Sequence, residues 1–313
     1  MCEKRFDAEE VKINNYNCYN ERFIPRTDFT CIRVVVYPQS EFAKSVKQSA
    51  DKFLPKLNKG GANSSENRNN ATVEVDNLSG VLAEIVCEKI MHYRYGDIIK
   101  RTEANTSKNQ IDIDVANGKT IEVRSSCIRN GIEFALFAKD KNKPDYQYVD
   151  ILGPYSNGYK PDEKQKDYYM RVIFPFDINM FMPKWNSNQP IELYVTGGAN
   201  RKMMFDCNLS QTKHLKPENA NGGEETDYRT IPIGKSLDIK QFFEMFESEN
   251  GQPEVKNDIS EQISKKIIGN KRTGFFHTEN CPVFKTALNE RVIFNSADEA
   301  TENGYRPCYK CIK

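Results

Sequence analysis

The stretch IDIDVANGKTIEVRSS, residues 111–126, decides how this chain is read. Two strand-like runs flank Ala116, Asn117 and Gly118, so the segment predicts a β-hairpin. Side chains alternate across a strand, which places Asp112 with Asp114 on one face and Glu122 with Arg124 on one face. Whether the two sets meet depends on the turn. A two-residue Asn117–Gly118 loop pairs Ile113 with Glu122 and turns Asp112 to the opposite face. A three-residue loop of Ala116, Asn117 and Gly118, with Gly118 left-handed, sets Asp112 directly across from Glu122. The sequence admits both. In the second register Asp112 and Glu122 make a hard oxygen pair suited to Mg2+, with Asp114 as the alternative ligand.

Working outward, SGVLAEIVCEKIMHYRY (79–95) predicts a helix with Ser79 as its N-cap. Its Val81, Leu82, Ile85, Val86, Ile90 and Met91 recur at helical spacing, and it carries Glu84. Before it come a strand, CIRVVVYP (31–38), a helix, SEFAKSVKQSADKFL (40–54), and a Gly/Asn/Ser-rich tract (58–77) that reads as a loop or insertion. After the hairpin, strands are expected in IEFALFA (132–138), DYQYVDILGPY (145–155), YYMRVIFPF (168–176) and PIELYVTGG (190–198). Residues 209–232 read as a polar loop, and DIKQFFEMF (238–246) as a short helix. The fold class implied is α/β with a mixed sheet. A doubly wound sheet is not expected, because no βαβ series with Gly-rich turns is present. The expected organisation is one domain over 1–250, a linker over 251–264 and a small unit over 265–313.

The chain has 313 residues, 38% hydrophobic and 28% charged, with a formal net charge of +1. That balance suits a soluble protein and requires any basic surface to be local. No apolar run approaches the about 18–20 residues that span a bilayer, and no apolar leader segment opens the chain, so a cytoplasmic protein without a membrane partner is expected. Nine cysteines then read as thiols or metal ligands. Cys2, Cys18, Cys31, Cys87, Cys127 and Cys207 lack ligand spacing and read as packing residues.

The remaining three lie in FFHTENCPVF (275–284) and GYRPCYKC (304–311). His277 and Cys281 are four apart, and Cys308 and Cys311 form a CxxC. Two compact ligand pairs of this kind build a closed, four-coordinate structural zinc site, which would supply folding energy to a unit with little core. Lys and Arg number nine against five Asp and Glu between 265 and 313, a local excess that fits phosphate contact.

GNKRTGFFHTENCPVF and VIFNSADEATENGYRPCYKC together resemble the zinc-binding module of the Ada family of DNA repair proteins. That resemblance implies a disposition to bind double-stranded DNA. In that family the first ligand is a Cys that accepts a methyl group from a DNA phosphotriester. Here the matching position is His277, which lacks the thiolate nucleophile, and methyl transfer onto Cys281 is the remote remaining option.

Residues 78–155 are similar to the PD-(D/E)XK nuclease core, a helix with a Glu followed by a hairpin with Asp and then Glu-x-Lys. The resemblance implies a restriction-endonuclease-like fold and a Mg2+-dependent DNA endonuclease of the restriction or defence type, commonly a homodimer. On it, Glu84 matches the helix acid, Asp112 the hairpin Asp, and Glu122 and Arg124 the Glu-x-Lys strand. Arg124 departs from the pattern. A guanidinium stays charged and cannot serve as a base, so its role would be to orient water or stabilise charge. Lys139 in LFAKDKNK is a candidate for the missing amine. The polar 190–232 region, with GGANRKMM, is a candidate for target contact. The competing expectation is a non-catalytic DNA-binding or damage-sensing protein on an inactivated nuclease scaffold.

Overall fold

A computed structural model describes residues 6–19, 22–56, 70–102, 112–128, 150–155, 165–215, 226–232, 235–251, 267–278, 281, 290–294 and 297–308. Its largest feature is a seven-stranded mixed sheet. The strands are β1 (Asp7–Tyr19), β2 (Arg22–Val36), β3 (Ile99–Arg101), β4 (Ile113–Val115), β5 (Thr120–Ile128), β7 (Tyr168–Asp177) and β8 (Ile191–Asn200). Across the sheet they run β1-β2-β8-β7-β5-β4-β3. Only β5 and β7 pair in parallel; the other neighbours are antiparallel.

One face of this sheet carries the main core. Ile32 and Val34 of β2, Ile121 and Val123 of β5, Met170 and Val172 of β7, and Leu193 and Val195 of β8 alternate into it. Helices α1 (Glu41–Phe53), α2 (Asn70–Tyr95), α3 (Phe181–Asn186) and α5 (Ile239–Asn250) contribute to the same cluster. Ser40 caps α1 by accepting from the Ala43 amide, and Phe42, Ala43, Val46 and Ala50 face inward at helical spacing. Asp238 and Gln241 form a reciprocal capping box at the start of α5, whose Phe242, Phe243 and Phe246 pack onto Tyr95 and Tyr168. On α2 nearly every side chain from Val81 to Met91 is buried, as expected of a helix enclosed on most sides.

A smaller cluster of Tyr169, Ala199, Met204 and Ile231 joins β7 and β8 to α4 (Arg201–Phe205) and β10 (Thr226–Pro232). There β6 (Asp150–Tyr155), β10 and β9 (Gln211–Leu215) form a three-stranded sheet. Toward the C-terminus, β13 (Arg291–Phe294), β11 (Ile267–Asn270), β12 (Phe275–Thr278) and β14 (Arg306–Pro307) make a four-stranded sheet with α6 (Ala297–Glu302).

Several expectations are corrected. The second helix begins at Asn70 rather than Ser79, and Ser79 bonds back to the Asp76 carbonyl instead of capping. Burial of Val73 and Leu78, with the Asn77 amide on the Ala50 carbonyl, outweighs the Asn-rich composition. The N-terminal region holds two long strands rather than one, and residues 209–232 contain β9 and β10 rather than loop alone. The IEFALFA strand and residues 252–264 of the expected linker lie outside the described residues. Among the described residues no helix is long and apolar enough to cross a membrane.

Candidate metal centres

The hairpin uses the three-residue turn. Ile113 pairs with Ile121 and Asp114 with Thr120, while the Val115 amide donates to the Lys119 carbonyl at 2.9 Å and closes Ala116–Gly118. Gly118 has φ +78°, a left-handed conformation that side chains disfavour. One step beyond the ladder, Asp112 stands against Glu122. Its Oδ2 accepts from the Val123 amide at 2.7 Å, and it is 4% exposed. Asp114 lies further along, opposite Thr120 and Lys100.

Three carboxyls gather here. Burial pushes the Asp112 carboxyl well above the carboxylate range, reinforced by the charges of Glu122 and Glu84 and opposed by the Val123 amide and Arg124. Glu84, from α2, is also raised by burial and by Glu122, against the pull of Arg101. The Arg101 Nη2 lies 3.0 Å from Glu84 Oε2. The Cys87 thiol is pushed up by burial and by the Asp112 and Glu84 charges. Glu122 is 7% exposed. Its Oε1 is 2.8 Å from Arg124 Nη2, the i,i+2 contact that a shared strand face permits.

The other oxygen, Glu122 Oε2, is buried and accepts no hydrogen bond among the described residues. The nearest ion partner is Lys166 Nζ at 3.7 Å. Lys166 carries no motif in the sequence that marks it for this site. It sits just before β7, and the parallel β5–β7 pairing, a long-range contact with no local signature, brings it to Glu122. Lys139 lies outside the described residues. On the next same-face step Arg124 stands beside Arg171, whose Nη2 donates to Ser126 Oγ at 2.9 Å. A buried carboxylate oxygen without a hydrogen bond is costly, and a divalent cation between Asp112 and Glu122 would satisfy it. The donor set fits Mg2+, which takes one or two carboxylates and keeps several waters.

The Asn200, Arg201 and Lys202 part of GGANRKMM, with Lys119, Asp167 and Phe205, lines an open cleft of about 470 Å³. Arg201 is ion-paired to Asp167 at 3.3 Å there.

The second centre is His277, Cys281 and Cys308, all buried, with ligand atoms within 4.8 Å of one another. His277 Nδ1 lies 3.3 Å from Cys281 Sγ, and Cys281 Sγ lies 3.9 Å from Cys308 Sγ. Tetrahedral zinc with ordinary bond lengths separates two sulfurs by about 3.8 Å and a sulfur and nitrogen by about 3.6 Å. Burial lowers the His277 pKa, which favours the neutral imidazole that a metal requires. Strand β12 supplies His277, and Cys308 follows β14, its parallel neighbour. Cys311 lies outside the described residues. Of the scattered cysteines, Cys31, Cys87 and Cys127 are buried as expected of packing residues, whereas Cys207 is exposed.

Residues 260–313 match the family described as the metal-binding domain of Ada, so the C-terminal segment is a zinc-binding domain of that type. The match and the clustered His277, Cys281 and Cys308 agree. Across a longer stretch, the chain is 29% identical over 205 residues to Uncharacterized protein MJECS01 of Methanocaldococcus jannaschii, covering 54% of this chain and 67% of that protein. No solved structure matches the chain.

Proposed function

We propose that the protein is a Mg2+-dependent DNA endonuclease with a restriction-endonuclease-like core, whose Ada-type zinc domain contacts double-stranded DNA. The observation that carries this reading is the buried Asp112–Glu122 pair, with a Glu122 oxygen that accepts no hydrogen bond among the described residues. The order of acid-bearing helix α2, hairpin β4–β5 and parallel neighbour β7 also supports it. Asp112 and Glu122 would hold Mg2+, which when bound supplies Lewis acidity at a phosphodiester. Arg124 fixes Glu122 through Oε1 and places positive charge on the same strand face. Glu84, held by Arg101, contributes an outer negative charge. In the zinc domain, Lys271, Arg272, Arg291 and Arg306 gather at the β11–β12 turn end of the sheet, a local basic patch suited to phosphate.

Plasmid cleavage with Mg2+ tests the reading. Cutting that stops in Glu122→Ala, with the fold retained by circular dichroism, is expected; an active Glu122→Ala protein would refute it. A second reading, a non-catalytic DNA-binding protein on an inactivated nuclease scaffold, is favoured by a specific observation. Glu84 and Glu122 already pair with the protein cations Arg101, Arg124 and Lys166. DNA binding without cleavage in Mg2+, Mn2+ or Ca2+ would select it.

A further inference from the structure

We infer that Lys166 is a resident counter-ion of the candidate Mg2+ site, and that its ammonium and a divalent cation exclude one another at Glu122 Oε2. The inference rests on the reading of Asp112 and Glu122 as cation ligands. Lys166 is 3% exposed, an unusual burial for a lysine. Its Nζ is 3.7 Å from Oε2, inside ion-pair range but beyond hydrogen-bond length. Glu122 is therefore held tightly by Arg124 through one oxygen and loosely by Lys166 through the other. The loose contact is the one a metal can replace.

Charge balance gives the reason for a lysine at this position. Glu84, Asp112 and Glu122 gather with Arg101, Arg124 and Lys166, and Arg171 stands beside Arg124, so protein cations already lie against these carboxyls. Removing Lys166 takes away the cation nearest to Glu122 Oε2 and leaves that oxygen's charge for a dication to neutralise. Adding a dication beside a retained ammonium instead brings like charges within a few ångströms. Even when screened to nearly the dielectric of water, that repulsion weakens cation binding by about tenfold or more. The ammonium must then leave Oε2, and a nucleic-acid phosphate is a natural acceptor for a displaced lysine. Metal and DNA should therefore bind cooperatively, because each relieves the cost of the other.

The experiment is a Mn2+ titration of the zinc-loaded full chain without DNA, with free Mn2+ read by electron paramagnetic resonance. Lys166→Gln should bind Mn2+ about tenfold more tightly than wild type, Lys166→Arg about as wild type, and Glu122→Gln far more weakly. Lys166→Gln binding no tighter than wild type would overturn the counter-ion role while leaving the site intact, provided Glu122→Gln still loses the metal. If neither wild type nor Lys166→Gln binds Mn2+, the metal-site reading itself falls. Should Lys166→Gln fail to fold, wild type decides the matter with an uncleavable phosphorothioate duplex. Tightened Mn2+ binding supports the exchange, and unchanged binding refutes it.

Discussion

Asp112→Asn should stabilise the metal-free protein at neutral pH. Asp112 is 4% exposed, its Oδ2 accepts one amide proton at 2.7 Å, and no ion pair to it occurs among the described residues. Its folded pKa lies above the unfolded value of about 3.9. The fold thus prefers the protonated form. The associated stability is complete below the unfolded pKa and is lost as pH rises through the folded value. At pH 8 the protein carries the cost of a buried carboxylate facing Glu122 and Glu84. An asparagine keeps an oxygen for the Val123 amide and turns the second position from a repelling oxygen into a donor toward Glu122. Removing one uncompensated buried charge contributes about 1–3 kcal/mol. For a domain of this size each kcal/mol raises Tm by about 2–4 °C.

The assay is thermal unfolding followed by circular dichroism, with zinc retained and Mg2+ omitted, at pH 5 and pH 8. The Asp112→Asn protein should melt above wild type at pH 8, by a margin that shrinks at pH 5. Mg2+ should then narrow the gap by stabilising wild type alone. A variant less stable than wild type at pH 8 would refute the reasoning, since Asp112 would then be a net stabilising ion rather than a ligand held at a cost.

Three further outcomes are expected. Gly118→Val forces a β-branched residue to φ +78° and should cost about 1–2 kcal/mol or more in urea unfolding, whereas Gly118→Asn should cost much less. Glu247→Ala strands Arg94, whose Nη2 lies 2.7 Å from Glu247 Oε1 across the α2–α5 interface, and should cost about 3–5 kcal/mol with zinc content unchanged. His277→Ala should lose zinc by inductively coupled plasma mass spectrometry, and His277→Cys should retain it, because a thiolate restores the fourth donor.

The zinc ligands are legible in the sequence because their signal is local. The ligand types stand in two pairs at short spacing, and the fold has only to close β12 against β14 to bring His277, Cys281 and Cys308 together. Lys166 is illegible for the opposite reason, since a parallel neighbour can come from any distant strand and Lys166 has no motif of its own. The helix over Asn70–Leu78 is hidden by composition. Asparagine-rich sequence favours turns when isolated, but Val73 and Leu78 are buried, Leu78 within the main core, and that burial extends α2.

The turn is the instructive case, because the choice between two and three residues is open on turn chemistry yet closed by the pattern of burial. In the two-residue register Ile113 faces Glu122, so one face of the hairpin would mix Ile113 and Val115 with Glu122 and Arg124. The observed pairing of Ile113 with Ile121 gathers Ile113, Val115, Ile121 and Val123 on the core face. A slip of one residue would set Glu122 and Arg124 among the apolar side chains of the core cluster, or turn Ile113 and Val115 out of it. Hydrophobic alternation on both strands therefore fixes the register, and Gly118 makes it attainable by accepting a positive φ. The juxtaposition of Asp112 and Glu122 follows as a by-product: once the apolar residues share one face, the acids are forced to share the other.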